Sequence, residues 1–114
     1  MALVHEFGII DTFSAASFED YSPEKYPCIS VNDTHIQALL RSLSLVKTYF
    51  HSLDRPEFGL AYYGTTIISP ESFAALLEVV LSAKKINQQE DIIELSQLIL
   101  QAKRENKYMI HYGV

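Results

Sequence analysis

A chain of 114 residues, 48% of them hydrophobic, holds enough apolar material for one core of ordinary domain size. Its single cysteine, Cys28, excludes an internal disulfide, and its apolar runs fall short of the ~20 residues that a membrane helix needs. The net charge of −5 argues against a direct nucleic-acid binder, which needs a lysine and arginine footprint.

The N-terminus, Met1-Ala2-Leu3-Val4-His5-Glu6-Phe7, has no basic region and meets an acid at once, so the expectation is a cytoplasmic protein without a signal peptide. Residues 3–13 read as a strand around Phe7-Gly8-Ile9-Ile10, broken by Asp11-Thr12. Residues 14–27 are polar and aromatic by turns and contain Pro23 and Pro27, which fits a short helix or a loop. Cys28-Ile29-Ser30-Val31 follows as a short strand. Asn32 or Asp33 then caps a helix whose stripe is Ile36, Leu39, Leu40, Leu43, Val46 and Phe50, and Pro56 predicts its end near Leu53.

Residues 58–68 carry no charge and are aromatic, β-branched or small, as in a strand covered on both faces and internal to a sheet. Gly64 in this run marks a bulge or a close backbone approach. Ser69, Pro70 and Glu71 then form a helix start, and Phe73, Leu76, Leu77, Val80 and Leu81 give the second amphipathic helix. Lys84 and Lys85 suit its C-terminus and Asn87 terminates it. Gln89-Glu90-Asp91 opens a third helix, with Ile92, Leu95, Ile99 and Ala102 as its stripe, closed by Lys103, Arg104 and Lys107. Residues 108–112 make a last strand. The whole is one α+β domain over residues 1–114, a small mixed or antiparallel sheet with three main helices packed on it.

The charge is uneven along the chain. Residues 1–33 hold six acids (Glu6, Asp11, Glu19, Asp20, Glu24, Asp33) against Lys25 alone, a net of −5, whereas residues 34–114 balance eight of each sign. This acidic first third is either a solvated surface or a docking face for a basic partner. Tyr21 and Tyr26 lie in the same segment, where they either pin the loop to the sheet or anchor a partner. Asp11, Glu19, Asp20, Tyr21 and Glu24 are the candidate partner-binding residues.

Motifs of catalysis are missing. His5, His35, His51 and His111 form no ligand-spaced pair, and the His5-Glu6 start of a zinc-helix motif meets Ile9 where a second histidine is required. Cys28 beside isoleucine reads as a small core residue, and Gly64-Thr65-Thr66 lacks the lysine of a phosphate loop. No catalytic residue, metal or cofactor is therefore expected. If the chain is a small enzyme instead, His5, Asp11 and His111 are the titratable groups of first interest. A dimeric regulatory domain pairing through an open sheet edge is a further alternative.

His5-Glu6-Phe7-Gly8-Ile9-Ile10-Asp11, the run from Gly59 through Ile68 with Pro70-Glu71, and His111-Tyr112-Gly113-Val114 resemble patches of small bacterial immunity proteins. Those proteins are the cytoplasmic partners of contact-dependent inhibition systems and related polymorphic toxins. The resemblance covers about a third of the chain. It implies a non-enzymatic protein that binds one cognate toxin domain, often a basic nuclease in such systems, and blocks its active site or an exosite.

Overall fold

The structure, a computed structural model, describes residues 3–10, 28–50 and 55–113. The strands are β1 (Val4–Ile9), β2 (Cys28–Asn32), β3 (Lys47–Phe50), β4 (Pro56–Phe58), β5 (Thr65–Ile68) and β6 (Met109–Tyr112). The helices are α1 (Asp33–Leu43), α2 (Phe73–Ser82) and α3 (Glu90–Glu105). The strands form one sheet of order β2-β1-β6-β5-β3-β4, and every neighbouring pair runs antiparallel. The first and last strands thus lie side by side at the centre, which brings His5 and His111 within reach of each other.

Alternation along each strand divides the sheet into two faces. Phe7, Ile9, Val31, Ile68 and Met109 pack against the stripes of all three helices: Ile36 and Leu39 of α1, Phe73 and Leu76 of α2, Leu95 and Ile99 of α3. On the opposite face Ile10, Ile67, Ile110 and Tyr112 form a second buried cluster. Burial of each such side chain contributes about 1.5–3 kcal/mol relative to exposure.

Helix ends follow their sequence signals closely. Asn32 caps α1, its Oδ1 accepting the Thr34 N–H at 2.8 Å. Pro70 opens a single 3₁₀ turn, Pro70–Ser72, from which α2 continues. Asn87 donates its side-chain N–H to the Leu81 carbonyl at 3.1 Å, satisfying one of the free acceptors at the end of α2. Asn106 ends α3 in the left-handed conformation, φ 55°.

Two expectations are corrected. The first helix stops at Leu43 rather than near Leu53, and Lys47–Phe50 is strand β3. A turn over 44–46 separates them, with the Val46 N–H bonded to the Leu43 carbonyl. Val46 continues the helical stripe only in number, because it is buried from the turn; Thr48, Tyr49 and Phe50 are β-branched or aromatic and fit the sheet. Residues 58–68 are likewise not one internal strand. Phe58 ends β4 at the sheet's edge and is 63% exposed, whereas Thr65–Ile68 is buried between β6 and β3.

Gly59 causes the break. Its φ is +80°, its N–H bonds to the Val46 carbonyl, and a Cβ there would stand 3.3 Å from Ser44 Cα. The exposed edge β4 is short and carries Pro56 and Glu57, which oppose further strand addition.

Candidate functional site

The helix-facing side of the central strands carries a polar array at the N-terminus of α1. Register places His111 of β6 directly between Phe7 of β1 and Thr66 of β5. His5 stands two residues before Phe7 on the same face and so lies diagonal to His111. Both histidines are 0% exposed.

His5 Nδ1 lies 2.8 Å from His111 Nε2, with the rings 18° from parallel and their centroids 5.1 Å apart. That centroid separation is the N···N contact plus two ring radii, so the imidazoles meet edge to edge along one N–H···N line. His5 Nε2 lies 2.9 Å from Asp33 Oδ1, and His111 Nδ1 lies 3.2 Å from Thr66 Oγ1. Thr66 Oγ1 also accepts the Ala61 N–H at 2.8 Å.

Asp33 is the acid of the array. It is the first residue of α1, where the helix dipole favours a negative charge. Its carboxylate accepts hydrogen bonds from the Tyr62 hydroxyl, from His5 and, on Oδ2, from Gln37 Nε2 at 2.7 Å. The Tyr62 bond, then the His5 bond, hold the Asp33 carboxyl below its usual range despite burial, which acts in the opposite sense. Accepting that bond, Asp33 in turn raises the Tyr62 phenol. Burial, and next a charge on His5, push His111 well below the ordinary imidazole value.

These donor and acceptor roles are mutually constrained. An ionised carboxylate only accepts, so His5 presents its proton on Nε2. A neutral His5 then accepts on Nδ1, which requires Nε2–H on His111. His111 Nδ1 is in turn an acceptor for the Thr66 hydroxyl. Every polar side-chain atom from Thr66 to Asp33 is satisfied, as buried polar groups require.

Tyr62 closes this array from the β4–β5 connection. Its ring meets His5 edge-on at 5.1 Å and Tyr63 at 4.8 Å. Gly113 packs behind it, donating its N–H to the Gly64 carbonyl at 2.8 Å. Gly64 accepts that bond through its carbonyl, while the tight backbone approach in this region is that of Gly113 to residues 61 and 62. A Cβ on Gly113 would lie 2.1 Å from the Tyr62 carbonyl oxygen, so this contact requires glycine.

A second histidine–carboxylate pair borders the array. His35 Nδ1 of α1 lies 2.8 Å from Asp91 Oδ2 at the start of α3, and the Asn32 N–H donates to the same oxygen at 2.9 Å. Burial works to raise the Asp91 carboxyl, but the Asn32 N–H and His35 outweigh it and the net displacement is downward. Cys28 is half-buried on β2, and burial, followed by the Glu6 charge, pushes its thiol up to about 11, which disfavours the nucleophilic thiolate.

Between α1 and α2 lies an open cleft of about 430 Å³, lined by Ala38, Ser42, Leu45, Ala75 and Val79 among others, with Glu78 its one ionisable lining residue. Leu45 at its rim is 82% exposed.

The candidate partner-binding residues Asp11, Glu19, Asp20, Tyr21 and Glu24 lie outside the described residues, as does Asp11 in its alternative catalytic role. The structure does bring together His5 and His111. It adds Asp33, Tyr62 and Thr66, for which sequence spacing gave no signal: Asp33 was legible only as a helix-start residue, and Tyr62 and Thr66 only as strand. No group of three or more metal-ligating side chains occurs among the described residues. No helix among them is long and apolar enough to cross a membrane. No family model, curated protein or solved structure matches the chain.

Proposed function

We propose that the protein works by binding another protein, as a cytoplasmic immunity protein that neutralises a cognate, basic toxin domain. One observation carries the non-enzymatic part of this reading. The two histidines with most chemical potential direct their nitrogens at each other, Asp33 and Thr66, and both are fully buried. A general base must reach the proton it removes. His5 Nδ1 meets His111 instead, so the array serves the core.

The acidic first third supports the partner's sign, and the resemblance to immunity proteins supports its class. Steering by Asp11, Glu19, Asp20 and Glu24 would act on association, with Tyr21 as an anchor. The test is binding to the toxin domain encoded beside this gene, at two salt concentrations. Reversing Glu19, Asp20 and Glu24 together should slow association and flatten its salt dependence. Tyr21→Ala should speed dissociation, by up to about 2 kcal/mol at a hot spot. Unchanged association and unchanged protection of cells in the triple reversal would reduce the acidic segment to a solubility feature.

An enzymatic reading draws on the same array, since His5 and His111 are in contact and Tyr62 joins it to the half-exposed loop. It requires a turnover that disappears on replacing His5 or His111 while the fold is retained.

A further inference from the structure

We propose that His5 and His111 form a single-proton relay: acidification adds one proton to the pair, seated on His5, and switches the tautomer of His111 without breaking the array. The inference concerns the free protein and goes beyond partner binding.

The geometry supplies a second hydrogen-bond pattern in which every ring nitrogen keeps a partner. In the neutral array the Thr66 hydroxyl donates to His111 Nδ1, His111 Nε2–H donates to His5 Nδ1, and His5 Nε2–H donates to Asp33. For uptake, the His111 Nε2 proton passes to His5 Nδ1 and the entering proton binds at His111 Nδ1, while the Thr66 hydroxyl turns from donor to acceptor. Each bond along the line then reverses up to His5, whose Nε2–H still faces Asp33. Thr66 Oγ1 has two lone pairs, one for the Ala61 N–H and one for the new His111 Nδ1–H. One proton has entered, His111 remains neutral, and no nitrogen has lost its partner.

The surroundings fix the proton on His5. Facing the pair are Asp33 and Gln37 from α1, Tyr62 from the β4–β5 connection, Thr66 from β5 and the Phe7 ring from β1. Asp33 is the one anion among them, and it touches His5. The remaining titratable groups at this end, His35 and Asp91, are paired with each other, and Glu6 is engaged by the Ser30 hydroxyl. A charge on His111 would be fully buried, 0% exposed, against Phe7 and Thr66 with no counter-ion. The edge-to-edge contact also admits only one proton between the two rings, so double protonation sets two N–H groups against each other.

Ring-nitrogen NMR on the intact, uniformly labelled protein tests this directly, with His35→Gln and His51→Gln variants to assign the other two rings. At about pH 8 both His5 and His111 should be Nε2–H tautomers. On titration to about pH 5, across the range where histidines change charge, His5 should gain a second proton while His111 changes to the Nδ1–H tautomer at the same midpoint. Thr66→Val, close in shape, should abolish the His111 switch because Nδ1–H then has no acceptor. Four results would each overturn the proposal: Nδ1–H on His111 at the high-pH end, a His111 that becomes doubly protonated, a His111 that stays Nε2–H while His5 charges, or a switch that persists in Thr66→Val. None of them bears on toxin binding, so the two proposals fail separately.

Discussion

Adding one methyl group at Gly113 should destabilise the protein far more than its position near the end of the sequence implies. The new Cβ would stand 2.1 Å from the Tyr62 carbonyl oxygen, 2.6 Å from its carbon and 2.9 Å from the Ala61 oxygen. All three are backbone atoms, so no rotamer change relieves the clash. Either β6 or the 61–62 segment must retreat by more than an ångström. Overpacking of this kind costs about 1–3 kcal/mol. Retreat also removes the Gly113 N–H bond to Gly64, worth about 1 kcal/mol. Together Gly113→Ala should cost about 2–4 kcal/mol, which for a domain of this size lowers the melting temperature by about 10 °C. Thermal unfolding followed by circular dichroism is the assay, with exposed Lys84→Ala as the control expected to stay within about 0.5 kcal/mol. The displaced loop should also carry the Tyr62 hydroxyl away from Asp33, visible as an altered tyrosine ultraviolet spectrum. A Gly113→Ala protein melting within about 2 °C of the parent would refute the close approach.

Ile67, fully buried on central β5, should not accept a charge: Ile67→Asp is expected to cost about 3–5 kcal/mol in urea unfolding, and an unchanged midpoint would contradict its placement. Stability should fall in two stages on acidification. His111 is depressed in the fold, so its contribution is complete above about pH 6.5 and is lost below it, as the unfolded chain takes a proton that the folded ring refuses. Asp33 and Asp91 are also depressed, so theirs persists to about pH 4 and is lost as the pH falls through their folded values. Urea midpoints measured from pH 8 to pH 2 should show both stages, and Asp91→Asn should weaken the second. His35→Ala should cost about 0.5–1 kcal/mol, a modest figure because the His35–Asp91 pair is partly exposed. Cys28 should react slowly with iodoacetamide in the native protein at pH 8 and rapidly in urea, as its raised thiol value requires.

The fold class was legible because its strongest signals are local. The stripe Ile92, Leu95, Ile99, Ala102 lies on one side of α3, and Asn32, Pro70 and Asn87 act at helix ends as their chemistry dictates. The errors came where two periods coincide. Val46 and Phe50 continue a helical count from Ile36, yet they also fit a strand entered through a turn, and tertiary pairing with β5 and β4 decides between them. Residues 58–68 misled for a related reason: absence of charge was taken as burial, but Phe58 is an exposed edge residue and only Thr65–Ile68 is interior. Gly59 was the visible breaker in that run, whereas Gly64 drew the attention.

The array could not be read from spacing, because its members stand 28, 45 and 106 positions apart and only sheet order joins them. Had the array been open, its Asp33–His5 contact would match the way a carboxylate orients a general base. What distinguishes it is the group on the other side of His5. In a nucleophilic site that position belongs to an accessible hydroxyl or thiol. Here it belongs to His111, a second imidazole 2.8 Å away and fully buried, backed by an equally buried threonine. A substrate would have to displace His111 from the middle of a central strand to reach His5, at the cost of β6's pairing with both β1 and β5. The polar groups therefore fix register where the first and last strands meet, since a one-residue slip of β6 would turn His111 to the other face and strand His5, Asp33 and Thr66 without partners.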